Sequence, residues 1–136
     1  MKSIVLSCLA VLLLTTACNK KEDIQLKPGV SLPTVQSLTL TKGAGNEFTL
    51  NWQMPSGIPA EIAQPLAVQI EIKELIELKT VVVGGATLAD APTTFTGTVP
   101  DAAKTYQVTV KLNGWLSERD PNYSSNIFSL GQTVTY

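Results

Sequence analysis

The chain has 136 residues, of which 44% are hydrophobic, 15% are charged and 6% are aromatic, and its formal net charge is -1. Its 10 cationic and 11 anionic side chains are spread along the sequence, so it lacks the basic surface that would bind nucleic acid. It contains no histidine, which excludes the commonest general base and metal ligand.

The first seventeen residues have the organisation of a cleaved export signal. Lys2 provides a positive charge, residues 4–14 are uncharged and mostly apolar, and small residues at positions 15–17 precede Cys18. A helix of about eleven residues is roughly 16 Å long, about half the thickness of the hydrocarbon core, so a membrane-spanning helix is disfavoured. We therefore predict that residues 1–17 are a signal peptide.

Cys18 indicates which kind of signal this is. A cysteine directly after a small residue at the end of the apolar stretch resembles the processing site of bacterial lipoproteins. The resemblance implies that the Cys18 thiol carries a diacylglyceryl group and anchors the protein in a membrane. The alternative is an ordinary secretory signal with Cys18 merely nearby. Because Cys8 lies in the removed segment, lipidation of Cys18 leaves no thiol for a disulfide, a nucleophile or a metal site.

Residues 18–32 are predicted to be a flexible tether, because they combine several charges and a Pro-Gly pair without a sustained apolar period. The run Lys21, Glu22 and Asp23 resembles the export signal of Bacteroidota lipoproteins, which directs them to the outer face of the outer membrane. It predicts a lipid-anchored protein of the outer membrane at the cell surface. The alternatives are a plain solvated linker and a position on the periplasmic face.

The rest of the chain, residues 33–136, is predicted to be one domain of seven strands. In most of these segments apolar and polar residues alternate with a period of two, as in strands with one buried face. The later part of 66–79 is also compatible with a helical turn, and we place a bend or bulge near Glu74. The predicted strands cover 37–41, 48–52, 66–72, 81–83, 95–99, 106–112 and 128–136.

Seven short antiparallel strands without a long helical period predict an all-β protein, a β-sandwich. Residues 33–136 resemble a fibronectin type III domain through Pro33 before the first strand, Trp52 ending the second, and the Tyr-x-Val-x-Val pattern that begins at Tyr106. The resemblance implies an immunoglobulin-like sandwich with Trp52 in its core and a tyrosine corner at Tyr106. The full chain is also similar to small Bacteroides lipoproteins, a resemblance that implies no activity.

Little in the domain favours catalysis. The remaining candidates are loop carboxylates at Glu118, Asp120, Asp90 and Asp101. They would serve a hydrolase only if a cleft brought two of them together, and a domain of this size seldom has such a cleft. Asp120 and Asn122 offer oxygen ligands to calcium, but the glycine and closing glutamate of an EF-hand loop are missing. We predict no catalytic residue, no metal and no cofactor.

The segment 113–125 is the predicted ligand-binding loop. It is longer than a tight hairpin requires, and its side chains suit stacking and hydrogen bonding. The candidate contact residues are Trp115, Glu118, Arg119, Asp120, Asn122 and Tyr123. The alternative is that Trp115 folds over the end of the sandwich as a lid on the core, with Leu116 beside it.

Three classes of function follow from these features. The first is a non-catalytic binding or adhesion module whose loops contact a glycan, a protein or a peptide. The second is an assembly subunit whose last strand, ending at Tyr136, pairs with a neighbour at a sheet edge. The third is a carboxylate-dependent hydrolase. We rank the three classes in that order, and the resemblance to a fibronectin type III domain is compatible with the first.

Overall fold

The computed structural model describes residues 29–119, 121 and 124–136. Cys18 and the run Lys21, Glu22 and Asp23 lie outside these residues. The described residues form eight strands: β1 (Gln36–Lys42), β2 (Glu47–Gln53), β3 (Ala67–Ile76), β4 (Lys79–Leu88), β5 (Thr94–Thr98), β6 (Tyr106–Trp115), β7 (Asn126–Phe128) and β8 (Gln132–Thr135). In the same part of the chain, no helix has the length and apolar character needed to cross a membrane.

The strands form two antiparallel sheets. One has three strands in the order β1-β2-β5, and the other has five, in which β4, β3 and β6 are neighbours and both β7 and β8 pair with β6. Phe48 and Leu50 of the first sheet and Ile70 and Val110 of the second belong to one buried hydrophobic cluster. The all-β class predicted from the alternating pattern is confirmed, and the arrangement is sandwich-like.

The predicted number of seven strands was wrong, because the last predicted strand is divided into β7 and β8. Between the last position that pairs with β8 and the first that pairs with β7, β6 advances three residues. The segment that joins β7 to β8 advances four residues over the same distance. The interruption lies at Ser129, whose N–H donates to the Leu112 carbonyl at 2.9 Å and whose Oγ accepts from the Leu112 N–H at 2.8 Å. A side-chain oxygen thus replaces a main-chain acceptor, and the extra residue forms a bulge.

In the segment 66–79, for which a strand and a helical turn were both considered, β3 continues to Ile76 without a helical turn, and residues 77–78 form the turn to β4. The bulge predicted near Glu74 lies instead on the neighbouring strand. Ile72 pairs with Gly84 and Lys73 pairs with Val82, so Val83 of β4 is the extra residue. This bulge shifts the faces of β4 relative to simple alternation.

The packed part of the chain begins before Pro33. Leu32 is buried in the core, and Val30 packs against it. The core therefore includes residues whose sequence lacks strand periodicity.

Trp52 and Tyr106 both lie in the core. The Trp52 side chain is 4% exposed, and Tyr106 is fully buried at the start of β6. The Tyr106 hydroxyl accepts a hydrogen bond from the Asp101 N–H at 3.1 Å, and its ring meets that of Tyr136 edge-on at 6.0 Å. A hydroxyl bonded to the main chain five residues upstream is the geometry of a tyrosine corner.

Candidate functional site

The predicted ligand loop 113–125 begins later than the sequence indicated. Residues 113–115 are the last of β6, where Asn113 pairs with Phe128, Gly114 with Ile127 and Trp115 with Asn126. A Cβ on Gly114 would lie 2.5 Å from Ile62 Cγ2 and 2.9 Å from Leu66 Cδ2. Gly114 therefore permits close packing inside a strand, whereas an Asn-Gly pair ordinarily indicates a turn.

Four side chains form a patch on the outer face of the five-stranded sheet. Gly114 points into the core, so alternation places Asn113 and Trp115 outside, and their partners Phe128 and Asn126 share that face. The rings are well exposed, Trp115 by 55% and Phe128 by 49%. We call Asn113, Trp115, Asn126 and Phe128 the aromatic–amide patch, in which each ring lies opposite an amide.

The exposure of Trp115 contradicts the alternative in which it covers the core as a lid. Of Trp115 and Leu116, only Leu116 packs against the core cluster. The main chain at Trp115 is nevertheless fixed, because its carbonyl accepts from the Ala63 N–H at 2.8 Å. An exposed ring on a strand held from both sides is a rigid contact surface.

The two amides of the patch have unused hydrogen-bonding capacity. The Oδ1 atoms of Asn113 and Asn126 are buried and have no partner among the described residues. Because the chain itself covers both oxygens, a ligand reaches them only after the amide groups rotate. Rotation of an amide group exchanges its oxygen and nitrogen, which allows each asparagine to accept or to donate.

Glu118 and Arg119 do not join Trp115. They line an open groove of about 750 Å³ beside the connection between β6 and β7, together with Val30, Ala60, Glu61, Leu116, Ser117 and Pro121. The Ser117 N–H donates to the Glu61 carbonyl at 2.8 Å and holds the two walls together. Asp120, Asn122 and Tyr123 lie outside the described residues. The structure thus divides the three predicted contact residues that it describes between two surfaces.

The loop carboxylates outside this region are separated. Asp90 follows β4 at the end of the sheet where β6 finishes, whereas Asp101 precedes β6 at the opposite end. Asp101 Oδ1 accepts from the Ala103 N–H at 2.9 Å and so shapes its own turn. At that end the Glu74 carboxylate accepts from Lys104 Nζ at 2.7 Å and raises the pKa of this amine. Within the described residues, no three acidic or thiol side chains cluster as a cation site would require.

Sequence reasoning missed Phe128 and both asparagines of the patch. In an uninterrupted strand over 128–136, Phe128 would share the inward face of Val134 and Tyr136. The bulge at Ser129 moves Phe128 to the outer face. The Ser-Leu-Gly run at 129–131 places a glycine inside a segment in which apolar and polar residues otherwise alternate. This glycine is the sequence signal for such a break.

Comparison with known proteins places the chain in a family. A family model described as "Domain of unknown function (DUF4945)" matches residues 18–136. The chain belongs to this family. The match covers all the described strands and begins at Cys18. A search of the curated proteins gives no match.

Proposed function

We propose that this protein is a lipid-anchored, non-catalytic binding module that contacts its ligand through the aromatic–amide patch. The observation that carries the proposal is the pairing of two exposed aromatic rings with two amides on one rigid sheet face. Exposed aromatic residues supply much of the energy at binding surfaces, because they lose little entropy when they are covered.

The chemistry of the patch favours a neutral carbohydrate. Trp115 and Phe128 offer flat apolar surfaces against which a sugar ring can stack, and the amides can bond its hydroxyl groups. None of the four residues is charged, so the patch supplies no ion pair for an acidic or basic ligand. A peptide or protein ligand is the alternative that the same patch would serve.

The strand order supports a fibronectin-like, immunoglobulin-related domain. In immunoglobulin sandwiches the first, second and fifth strands share one sheet, and the third, sixth and seventh share the other. Here β1, β2 and β5 form one sheet, while β3, β6 and β7 belong to the other, which β4 joins. The hydrogen bond of the Tyr106 hydroxyl is a second feature that supports this relationship.

The proposed anchor is a lipid on Cys18. The sequence before it has the organisation of a lipoprotein signal, and the family match begins at this residue. Replacement of Cys18 by Ala is expected to move the protein from the membrane fraction to the soluble fraction and to abolish labelling by a fatty-acid analogue. Fractionation of cells that express the full chain checks this result. A variant that stays in the membrane would exclude the lipid anchor at this position.

The proposed location is the outer face of the outer membrane. Lys21, Glu22 and Asp23 directly after the anchor support it, since they resemble an export signal for surface lipoproteins. The full chain on intact cells should then be degraded by added protease. Resistance on intact cells followed by degradation after lysis would instead place the domain at the periplasmic face.

Binding is tested by probing a glycan array with the full chain and with a Trp115→Ala, Phe128→Ala double variant. Loss of an aromatic contact worth about 2 kcal/mol weakens binding about 30-fold, so the double variant is expected to lose the signal of the parent. Its thermal melting should change little, because both rings are exposed. The matched control is Leu78→Ala, which removes an exposed apolar side chain at the other end of the sheet.

Two outcomes would count against this function. If the double variant binds the same glycans as strongly as the parent, the patch is not the contact surface. If the parent binds no glycan but captures a peptide or protein from a defined panel through the same two rings, the ligand class is wrong and the patch is right.

A further inference from the structure

The second functional class, assembly through a sheet edge, was predicted for the last strand. In the structure β8 pairs with β6 and lies beside β1, and Tyr136 is buried. The longer open edge of the five-stranded sheet is β4, which among the described strands contacts β3 alone, whereas the opposite edge strand β7 has only three residues. The outward N–H and C=O groups of β4 are therefore available for pairing.

Strand β4 has a bulge at Val83 but lacks most of the other features that protect a sheet edge. It has ten residues, of which Lys79 is the only charged one, whereas the edge strand β5 has five. Val82 is 57% exposed, and Val81 is also exposed. Natural edge strands are usually short or carry several charges, because a long apolar edge recruits another strand.

A shallow depression lies on the same edge. It measures about 370 Å³, and its walls include Glu71, Gly85 and Thr87. A Cβ on Gly85 would lie 2.6 Å from the Ile70 carbonyl oxygen, so the fold itself requires this glycine. A Cβ on Gly84 would come no nearer than 3.6 Å to Ile72, an ordinary contact. Packing within one chain therefore does not account for Gly84.

We propose that two copies of this chain pair antiparallel through β4, about a twofold axis between Val83 and Gly84. Residues directly opposite each other in such a pair must lie on the same face. Because of the bulge at Val83, Val82 and Gly85 both lie on the outer face, paired within the chain with Lys73 and Glu71.

The register that matches these faces over the whole strand is self-complementary. It places Val82 opposite Gly85 of the second copy and Val83 opposite Gly84, so that each valine meets the space left by a glycine. The Val82 side chain then fills the depression over Gly85 of the second copy. A twofold pair needs one surface that complements itself, and the Val-Val-Gly-Gly run at 82–85 has this property.

The positions of the charged residues are compatible with the same register. Lys79 falls opposite Leu88 of the second copy, so the two lysines do not meet. Where Val82 of one copy faces Gly85 of the other, the neighbouring residue on β3 is Lys73 in the first copy and Glu71 in the second. Within residues 79–88 no like charges face each other across the pair, so charge does not oppose self-association in this register.

The dimer does not depend on the proposed ligand, because the aromatic–amide patch lies at the opposite edge of the sheet, where β6 pairs with β7. Pairing through β4 leaves both patches open. Two patches on one dimer would bind a repeating ligand with increased avidity.

Sedimentation equilibrium of the full chain in detergent tests the dimer. The parent is expected to shift from monomer to dimer with rising concentration, and Val82→Lys should weaken association by about tenfold or more, since a lysine on a sheet edge opposes strand pairing. The matched control is Thr98→Lys, which puts the same charge on the edge strand of the other sheet and should leave the dimer unchanged.

Hydrogen exchange of the parent gives a second readout that does not depend on a variant. The amides of 79–88 should exchange more slowly at high protein concentration, whereas those of β5 should not change. A monomer at every concentration, exchange in β4 that is independent of concentration, or a dimer that Val82→Lys leaves intact would each overturn the proposal.

Discussion

Replacement of Trp52 by Ala is expected to lower the free energy of unfolding by about 3 to 5 kcal/mol. Trp52 ends the inward face of β2 and is 4% exposed, so its removal takes a large ring out of the core and leaves a cavity. The measurement is denaturant unfolding followed by far-ultraviolet circular dichroism, because the substitution removes one of two fluorescent tryptophans.

The chain contains a matched control in its other tryptophan. Trp115 is 55% exposed, so Trp115→Ala should change the free energy of unfolding by only about 0.5 kcal/mol. A third variant, Trp52→Phe, should cost less than Trp52→Ala, since it keeps a ring and removes an indole N–H that is buried without a partner among the described residues. Equal costs for the two tryptophan-to-alanine variants would show that the core is wrongly assigned.

Replacement of Tyr106 by Ala is expected to cost about 3 to 5 kcal/mol, and Tyr106→Phe about 1 to 3 kcal/mol. The alanine variant loses a fully buried ring, whereas the phenylalanine variant loses only the hydrogen bond from the Asp101 N–H. Denaturant unfolding of both variants separates the contribution of the ring from that of the hydroxyl.

Tyr136 provides the control for the hydroxyl. Its Oη lies 3.4 Å from the Gly45 carbonyl oxygen, a long contact, so Tyr136→Phe should cost less than Tyr106→Phe. If Tyr106→Phe is as stable as the parent, the bond to Asp101 does not hold the turn between β5 and β6.

The buried faces of the central strands were predictable from the sequence. Phe48, Leu50 and Trp52 alternate with polar residues, as do Val108 and Val110, and all five are buried. A period of two reports burial reliably when both neighbouring strands stay in register. The core positions of Trp52 and Tyr106 follow from the same pattern.

The features that the sequence did not reveal all depend on contacts between distant residues. The bulge at Ser129 needs the Leu112 N–H as its partner, and the role of Gly114 needs the approach of Ile62. Alternation within one segment contains no information on either partner. The strand count and the start of the ligand loop were therefore wrong.

The candidate site was predictable only in part, because the faces of its residues also depend on contacts between distant residues. Trp115 could be found because an exposed aromatic in a polar segment is conspicuous in the sequence. Phe128 could not, since its face depends on the bulge, and Glu118 and Arg119 lie on the groove rather than beside Trp115. A site assembled across two strands requires their register before its members can be named.

The proposed contact surface is tested most directly by nuclear magnetic resonance, with the isotope-labelled full chain in detergent and a glycan selected on the array. Titration is expected to shift the indole N–H of Trp115 and the side-chain amides of Asn113 and Asn126, while the resonances of Glu61, Glu118 and Arg119 stay in place. Shifts confined to these three groove residues, with the patch unchanged at saturation, would contradict the proposed contact surface.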